Sequence, residues 1–155
     1  MKTLPDIPTV TLPLSKSIAA RALVANCLAG GECLIRELPD CDDTRVIDRA
    51  IGEIERSRHH GRLTIHLHAN GTALRFMTAL AAATEGAEVV LTGIPRLCQR
   101  PVGPLVDALR SLGAEISCLE KEGFAPLLVK GGRLKGGLTM LDPSASSQYT
   151  SALML

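Results

Sequence analysis

The stretch LPLSKSIAAR, residues 12–21, places an extended apolar segment directly before a helix rich in alanine and leucine. Ser15 or Ser17 can cap this helix, because a seryl oxygen accepts a hydrogen bond from a first-turn N–H group. The other free N–H groups and the helix dipole attract anions. Lys16 adds a mobile positive charge, and Arg21 shares a helix face with Ser17. The stretch therefore predicts an anion site; the alternative is an ordinary capped helix with two solvated cations.

The composition favours one small domain and argues against several classes of protein. The 155 residues carry a formal net charge of +1, and 46% are hydrophobic but only 2% aromatic, so the core must be aliphatic. A nucleic-acid-binding protein needs clustered cations or aromatic stacking platforms, and neither is present. Five cysteines without a C-x-x-C pair are typical of reduced cytoplasmic thiols. With neither a signal segment nor a membrane-spanning apolar run, we expect a soluble, cytoplasmic protein that binds no membrane.

The order of predicted helices and strands is repeated along the chain, which indicates a duplicated supersecondary unit. Each pass contains a buried helix, a strand, a loop, an amphipathic helix and another strand. The first pass comprises a strand at 10–12, a helix at 17–28, a strand at 33–35, a helix after the turn at 39–43, a polar turn at 56–62 and a strand at 63–67. The second comprises a helix at 72–83, a strand at 87–91, a helix from 101 to 112, and strands at 115–119, 126–130 and 138–141.

The sequence therefore predicts an α/β fold of repeated βαβαββ units with buried helices and outer sheets, truncated in the third unit. We assign unit 1 to about residues 9–68, unit 2 to about 69–130 and the start of unit 3 to about 137–155, all in a single partial domain. The last apolar helix, which begins at 146–148, has no capping residue at its end. We therefore expect the chain to be a fragment of a longer protein.

Packing such units side by side would bring three helix starts, at Ser17, Thr72 and Ser147, to one end of the domain. Each has hydroxyl groups in its first turn, and each presents the positive end of a helix dipole. Together they suggest a shared cradle for an anionic, hydroxylated ligand, and phosphate fits best. Lys16 and Arg100 are the expected further donors.

Two arginines hold corresponding places in the first two apolar helices. Arg21 and Arg75 each lie about one turn after the helix start. A guanidinium in an apolar helix is costly unless it finds a partner, and the cradle would supply an anion as that partner. The alternative is pairing with an internal carboxylate such as Asp42 or Asp43. These two aspartates can also cap the helix that follows them, which is a simpler interpretation than an acid/base pair.

Four stretches resemble the enolpyruvyl transferases and occur in that family's order. They are LPLSKSIAARAL at 12–23, GTALRF at 71–76, LTGIPRLCQRPVGPLVDAL at 91–109 and SSQYTSAL at 146–153. Each stretch alone is weak, but together they are highly specific. Members of the family have two similar domains of three repeated units each, with helices inside, sheets outside and the active site between the domains. The chain resembles most of the first domain.

The resemblance implies transfer of the enolpyruvyl group of phosphoenolpyruvate to the 5-hydroxyl of shikimate 3-phosphate, a step of aromatic amino acid biosynthesis. The reaction proceeds by addition and elimination, with no metal and no cofactor. Motif matching implies that the residues holding shikimate 3-phosphate are Lys16, Ser17, Arg21, Ser146, Ser147 and Gln148. It implies that those contacting phosphoenolpyruvate are Lys16, Gly71, Arg100 and Gln148. Lys16, between both substrates, is the candidate catalytic residue.

The chain departs from the family pattern at several positions. The family usually has a small residue at the place of Leu14 and Ser-Asn at the place of 19–20. Its Asn-Ala-Gly-Thr motif reads Ala-Asn-Gly-Thr at 69–72, so Asn70 is displaced by one position and its contact to phosphoenolpyruvate stays open. The general acid and base of the family lie in its second domain, the expected partner of this chain. We therefore expect half a site and no activity of the chain alone.

Other functions also fit parts of the sequence. A sister branch of the family transfers enolpyruvyl to a UDP-sugar and has a reactive cysteine in the loop that here contains Cys98, but Cys98 lies closer to Arg100 than in that pattern. A different class is a non-catalytic anion-binding fragment. His66 and His68 fall on one face of a predicted strand, but no third metal ligand stands at a usual spacing, so we expect surface histidines and no metal site.

Overall fold

The computed structural model describes residues 13–32, 34–142 and 146–155, which form a mixed α/β fold. Its helices are α1 (Lys16–Leu28), α2 (Asp42–His60), α3 (Gly71–Ala83), α4 (Pro95–Cys98), α5 (Gly103–Ser111) and α6 (Ser147–Met154). Its strands are β1 (Leu63–His66), β2 (Glu88–Thr92), β3 (Glu115–Cys118) and β4 (Leu127–Lys130). The predicted α/β class is confirmed. No helix of the described ranges is long and apolar enough to cross a membrane.

The four strands form one sheet in the order β1-β2-β4-β3. β1 and β2 run parallel and are joined through α3, whereas β4 pairs antiparallel with both β2 and β3. Alternate residues of the strands are buried, so one face of the sheet packs on the helices. β1 belongs to the first predicted unit and pairs with β2 of the second. The unit boundaries stay a prediction.

Helix α3 lies in the centre of the core. Ten of its thirteen residues are buried, and it packs against α6, α2, β2 and β4. A helix that is apolar on all sides suits such a position. Asn70 caps it: Oδ1 accepts a hydrogen bond from the N–H of Ala73 at 2.9 Å, and Nδ2 donates to the carbonyl of Asp43 at 3.1 Å. The start of α3 is thereby fixed against the start of α2.

Helix α1 has a similar composition but is buried on one face only. Its buried residues are Ala19, Ala20, Leu23 and Val24. The side chain of Ile18 is 70% exposed. The prediction of a helix buried on nearly all sides is wrong for α1, because its main neighbours, α2 and α3, lie on one side of it.

Two predicted strands are not found. The strand predicted at 138–141 and the described part of that at 33–35 are extended or irregular, without a ladder partner among the described residues. Leu34 is 84% exposed and Met140 is 91% exposed, so neither segment gains the burial that stabilises a strand. The strand predicted at 10–12 lies outside the described residues.

Helix boundaries differ from the sequence prediction in three places. α2 continues through 56–60, where a polar turn was expected, because ion pairs three residues apart support its exposed face. It ends at His60, and the next residue, Gly61, has a φ of +75° that suits a residue without Cβ. α5 begins at Gly103 rather than Pro101, and Pro104 occupies its first turn. α4 lies within the predicted loop at 92–100.

Candidate functional site

The starts of α1, α3 and α6 are each capped by a side chain. The capping residues are Ser15 for α1, Asn70 for α3 and Ser146 for α6. Each side-chain oxygen accepts a hydrogen bond from a first-turn N–H group. The remaining N–H groups and the helix dipoles make each start electropositive.

Side-chain contacts connect the start of α3 to the start of α6. Gln148 Nε2 donates to Thr72 Oγ1 at 3.0 Å, and Arg75 Nη1 donates to Gln148 Oε1 at 2.7 Å. Arg75 Nη1 also lies 3.3 Å from the carbonyl oxygen of Gly71, and the guanidinium carbon lies 5.1 Å from the ring centre of Tyr149. One side chain of α6 is therefore held between two side chains of α3.

Arg21 connects α1 to both other helices. Its Nη2 donates to Ser151 Oγ of α6 at 2.7 Å, and its Nη1 donates to the carbonyl oxygen of Ser17 at 2.8 Å and to the hydroxyl of the same residue. The guanidinium carbon lies 5.5 Å from the ring centre of Phe76 on α3. The three helix starts predicted to converge do lie together.

Lys16 lies at the mouth of a small cavity between α1, α2 and α3. Its Nζ lies 3.2 Å from Asp43 Oδ2, and the hydrogen bond to that carboxylate raises the pKa of Lys16 above the usual lysine value. The cavity has a volume of about 120 Å³ and is lined by Lys16, Ser17, Ala20, Asp43, Ile47 and Thr72. The cavity is thus lined by the ammonium of Lys16 and the hydroxyl of Ser17 from α1 and by the hydroxyl of Thr72 from α3.

Two guanidinium groups lie against the start of α3. A Cβ atom on Gly71 would lie 2.5 Å from Arg100 Nη1 and 3.3 Å from Arg75 Nη1, so only glycine fits there without displacing them. Tyr149 donates from its hydroxyl to the carbonyl of Pro101 at 2.6 Å and so fixes the segment beside Arg100. Among the described residues, neither of these guanidiniums forms a salt bridge. In the described part of the chain, the carboxylate nearest these helix starts, Asp43, pairs with Lys16 and not with either guanidinium.

Most residues of the predicted site are brought together by these contacts. Six of the predicted residues lie at or beside the starts of α1, α3 and α6: Lys16, Ser17, Arg21, Gly71, Arg100 and Gln148. Ser146 caps α6, and Ser147 is exposed in the first turn of the same helix. The family motifs did not assign Thr72 or Arg75 to the substrate contacts. The corresponding positions of Arg21 and Arg75 in the two apolar helices were nevertheless a sequence signal for Arg75.

The two aspartates considered as partners of Arg21 and Arg75 form ion pairs with other residues. Among the described residues, neither Arg21 nor Arg75 pairs with Asp42 or Asp43, and it is Lys16 that pairs with Asp43. The prediction that these aspartates cap α2 is wrong. Cys41 is the N-cap, and both carboxylates lie in the first turn, where they interact favourably with the helix dipole.

The thiol at the start of α2 is acidified by its surroundings. The hydroxyl of Thr44, 3.5 Å from Cys41 Sγ, and the backbone of the same residue lower the pKa of the Cys41 thiol, and the positive charge of Lys16 adds to this shift. At the end of α1, burial raises the pKa of the Cys27 thiol.

The remaining candidate residues lie apart from the helix starts. Cys98 is half-buried at the end of α4, with Sγ 3.7 Å from the carbonyl oxygen of Gly93, in a groove that Arg100 does not line. His68 follows β1 in a left-handed conformation with φ of 52°, so it does not share a strand face with His66 as predicted. The two histidine rings meet edge to face, 4.8 Å apart. The described ranges hold no group of three or more possible metal ligands.

Comparisons with known proteins give a consistent family. Residues 8–155 match the family described as EPSP synthase (3-phosphoshikimate 1-carboxyvinyltransferase). The 3-phosphoshikimate 1-carboxyvinyltransferase of Bacteroides fragilis strain YCH46 is 44% identical over 147 residues, which are 95% of this chain and 34% of that protein. The protein of the same name from Photorhabdus laumondii is 40% identical over 166 residues, covering 95% and 38%.

A solved structure of EPSP synthase from Acinetobacter baumannii has the same fold. It superposes with a TM-score of 0.72 at 22% identity, over 92% of this chain and 36% of the other. The chain spans about a third of the length of the bacterial relatives named above.

Proposed function

The chain belongs to the EPSP synthase family, and from this premise we propose that its protein transfers the enolpyruvyl group of phosphoenolpyruvate to the 5-hydroxyl of shikimate 3-phosphate. The observation that carries the proposal is the meeting of three helix starts around groups that donate hydrogen bonds. Both substrates are polyanions, so their binding requires cations and oriented donors of this kind. The bacterial relatives bear the name of this activity.

Shikimate 3-phosphate is proposed to bind at the start of α1, beside the starts of α3 and α6. Lys16 and Ser17 open onto the small cavity, and Arg21 joins the two helices through Ser151. An ammonium, a guanidinium and a hydroxyl suit the oxygens of a phosphate monoester. Ser146, Ser147 and Gln148 at the start of α6 are proposed to bind a second group of the same substrate.

Phosphoenolpyruvate is proposed to bind at the start of α3. The absence of a Cβ on Gly71 lets the Arg100 guanidinium lie against this helix start. Gln148 bonds to Thr72 there, and Lys16 shares a cavity with Thr72. The proposed role of these groups is to hold the phosphate and carboxylate and to stabilise the charge that develops during addition. Asn70 caps α3 and bonds to Asp43, so its amide has a structural role here.

Lys16 is proposed to act as a cation and proton donor rather than as a base. The hydrogen bond that Lys16 donates to Asp43 raises the pKa of Lys16, so its ammonium is protonated throughout the neutral range. On substrate binding, an anionic oxygen would replace Asp43 as its partner. A charged donor between both substrates can lower the barrier to addition and to the release of phosphate.

The chain is proposed to supply only part of the active site. It spans about a third of its bacterial relatives, and the remainder of the enzyme is the proposed partner that completes the site. We expect no phosphate release when the chain is given both substrates, and measurable turnover would contradict this. The protein is proposed to act in the cytoplasm, which the free thiols of the four described cysteines support.

Titration calorimetry tests the binding proposal. Shikimate 3-phosphate is expected to bind the chain, and shikimate, which lacks the phosphate, is expected to bind far more weakly. Lys16→Ala should weaken binding at least tenfold, since it removes a charged contact. Lys130→Ala is the matched control, because Lys130 also forms an exposed ion pair, with Glu115 at 2.6 Å. Equal effects of both variants, or no binding to the chain, would contradict the proposed half-site.

A further inference from the structure

We propose that Arg75 is a positioning residue: it fixes the side-chain amide of Gln148 so that the amide offers N–H groups, and not its carbonyl oxygen, to an anionic substrate. The inference rests on the proposed function of the site. It adds to that function, because the family motifs that the sequence matches assign no role to Arg75.

The hydrogen bonds around Gln148 determine which way its amide faces. A guanidinium has only donors, whereas an amide has an acceptor oxygen at one end and a donor nitrogen at the other. Arg75 Nη1 lies 2.7 Å from Oε1, and Thr72 Oγ1 lies 3.0 Å from Nε2. Turning the amide over would set two donors against each other at the guanidinium. The cation therefore selects one of the two amide orientations.

This orientation leaves donors for a ligand. Nε2 uses one proton in its bond to Thr72, and its second proton remains available. The Thr72 hydroxyl accepts that bond, so its own proton is available as a donor. Thr72 lines the cavity that also contains Lys16 and Ser17. Arg75, Gln148 and Thr72 thus form a relay in which a cation at one end sets the polarity of the groups at the other.

The surroundings of Arg75 support a role in orientation. The guanidinium lies over the ring of Tyr149, whose hydroxyl is fixed to Pro101, and it bonds to the carbonyl of Gly71. Its Nε is buried and has no hydrogen-bond partner in the described part of the chain. An unsatisfied buried N–H costs stability, so a leucine-like residue would serve the core better than this arginine.

Arg21 provides a matched comparison in the same domain. It too lies near the start of an apolar helix and reaches α6, but its partner there is the hydroxyl of Ser151. A hydroxyl is both a donor and an acceptor and rotates to suit its partner. Arg21 therefore has no amide to orient, and Arg21→Met is a suitable control for Arg75→Met.

Nuclear Overhauser effects in the ligand-free chain test the orientation directly. The Nε2 protons of Gln148 should show contacts to the γ-methyl group of Thr72 in the wild type and in Arg21→Met. Arg75→Met should lose these contacts, and Arg75→Lys, which keeps a donor and the charge, should restore them at least in part. Unchanged contacts in Arg75→Met would overturn the proposal.

A second variant keeps the test decisive if Arg75→Met does not fold. Gln148→Glu places a carboxylate oxygen where Oε1 now meets the guanidinium. If Arg75 faces that oxygen, the melting temperature of Gln148→Glu should equal or exceed that of the wild type, because a lone cation gains a counter-charge. A fall of several degrees would overturn the proposal.

A double-mutant cycle on binding separates positioning from plain charge. With shikimate 3-phosphate as the ligand, Arg75→Met should weaken binding about tenfold in the wild type, the value of one hydrogen bond to a charged group. In a Gln148→Leu background it should add less than about a threefold loss. Equal losses in both backgrounds would mean that Arg75 acts through its own charge and would overturn the proposal. If the wild type binds no ligand, the proposed function fails, and the ligand-free contacts still decide the role of Arg75.

Discussion

Helices α1 and α3 are alike in sequence and different in surroundings. Both have thirteen residues, are rich in alanine and leucine, and carry one arginine near the start. Ten residues of α3 are buried but only four of α1. Arg75 of α3 lies over a tyrosine ring and bonds to an amide, whereas Arg21 of α1 bonds to serine hydroxyls.

The difference shows that an apolar sequence permits burial but does not determine it. The main neighbours of α3 are α2, α6, β2 and β4, whereas the main contacts of α1 come from α2 and α3 alone. The candidate site therefore combines a fixed centre on α3 with an accessible edge on α1. The centre holds two guanidiniums near the backbone of Gly71, and the edge presents Lys16.

The largest expected difference between the two helices is in stability. Leu74 of α3 is 1% exposed, so Leu74→Ala should lower the free energy of unfolding by about 3 kcal/mol through lost burial and a new cavity. Ile18 of α1 is 70% exposed, so Ile18→Ala should cost less than about 0.5 kcal/mol. Urea denaturation of both variants measures this. Similar losses would mean that α1 is as well packed as α3.

A smaller effect concerns the two helix starts as binding sites. Gly71→Ala should push the Arg100 guanidinium aside, because the new Cβ would lie 2.5 Å from Nη1. The side chain is flexible, so stability should change little, but phosphoenolpyruvate binding should weaken by roughly 1 kcal/mol. Phosphoenolpyruvate titrations followed by NMR, with the Nε–H resonance of Arg100 as the probe, measure the displacement of the guanidinium and the weaker binding. Ser17→Ala is the counterpart on α1, and a similar shift of the Arg100 resonance in that variant would contradict the assignment.

The ion pair of Lys16 with Asp43 at the start of α1 should show a pH dependence. Asp43 raises the pKa of Lys16, so Asp43→Asn should lower that pKa toward the ordinary value of 10.5. Any stability from this pair is fully present below the ordinary lysine pKa and is lost as the pH rises through the raised value. The titration of the Lys16 ε-methylene resonance measures the shift; Asp48→Asn is the control on α2, and an equal effect there would contradict the pairing.

The smallest effect distinguishes the two ends of α1. Near its start, Cys41 has a lowered pKa because of Thr44 and Lys16; near its end, burial raises the pKa of Cys27. Below the ordinary thiol pKa of 9.0, Cys41 carries more thiolate and should react faster with iodoacetamide. The advantage should shrink as the pH rises and both thiols ionise. Mass spectrometry of alkylated peptides measures the rates, and equal rates at pH 7.5 would contradict the assigned environments.

Much of the fold could be predicted from the sequence, because local signals agree with the tertiary structure over most of the chain. The strand predicted at 63–67 matches β1, and the helix end predicted at 112 lies within one residue of the end of α5. The failures have a common cause. The segments that contain Leu34 and Met140 have apolar residues typical of strands. Strand formation also depends on a partner strand, which no local pattern specifies.

The sequence motifs predicted which residues lie near the helix starts but not the side-chain contacts between them. Residues that match the family at 16–21, 71 and 148 do converge, because equivalent helices begin at the same end of the domain. The bond between Arg75 and Gln148 joins side chains 73 positions apart, and the bond from Asn70 to the carbonyl of Asp43 joins α3 to α2. Neither contact has a sequence signature, so only the tertiary structure can assign them.

The most direct test of this account is a titration of the isotope-labelled chain with shikimate 3-phosphate, followed through its backbone amide resonances. We predict that amides in the first turns of α1, α3 and α6 shift together and give a single dissociation constant. Shifts confined to one helix start, or different constants for the three starts, would contradict the claim that these helices form one anion-binding site.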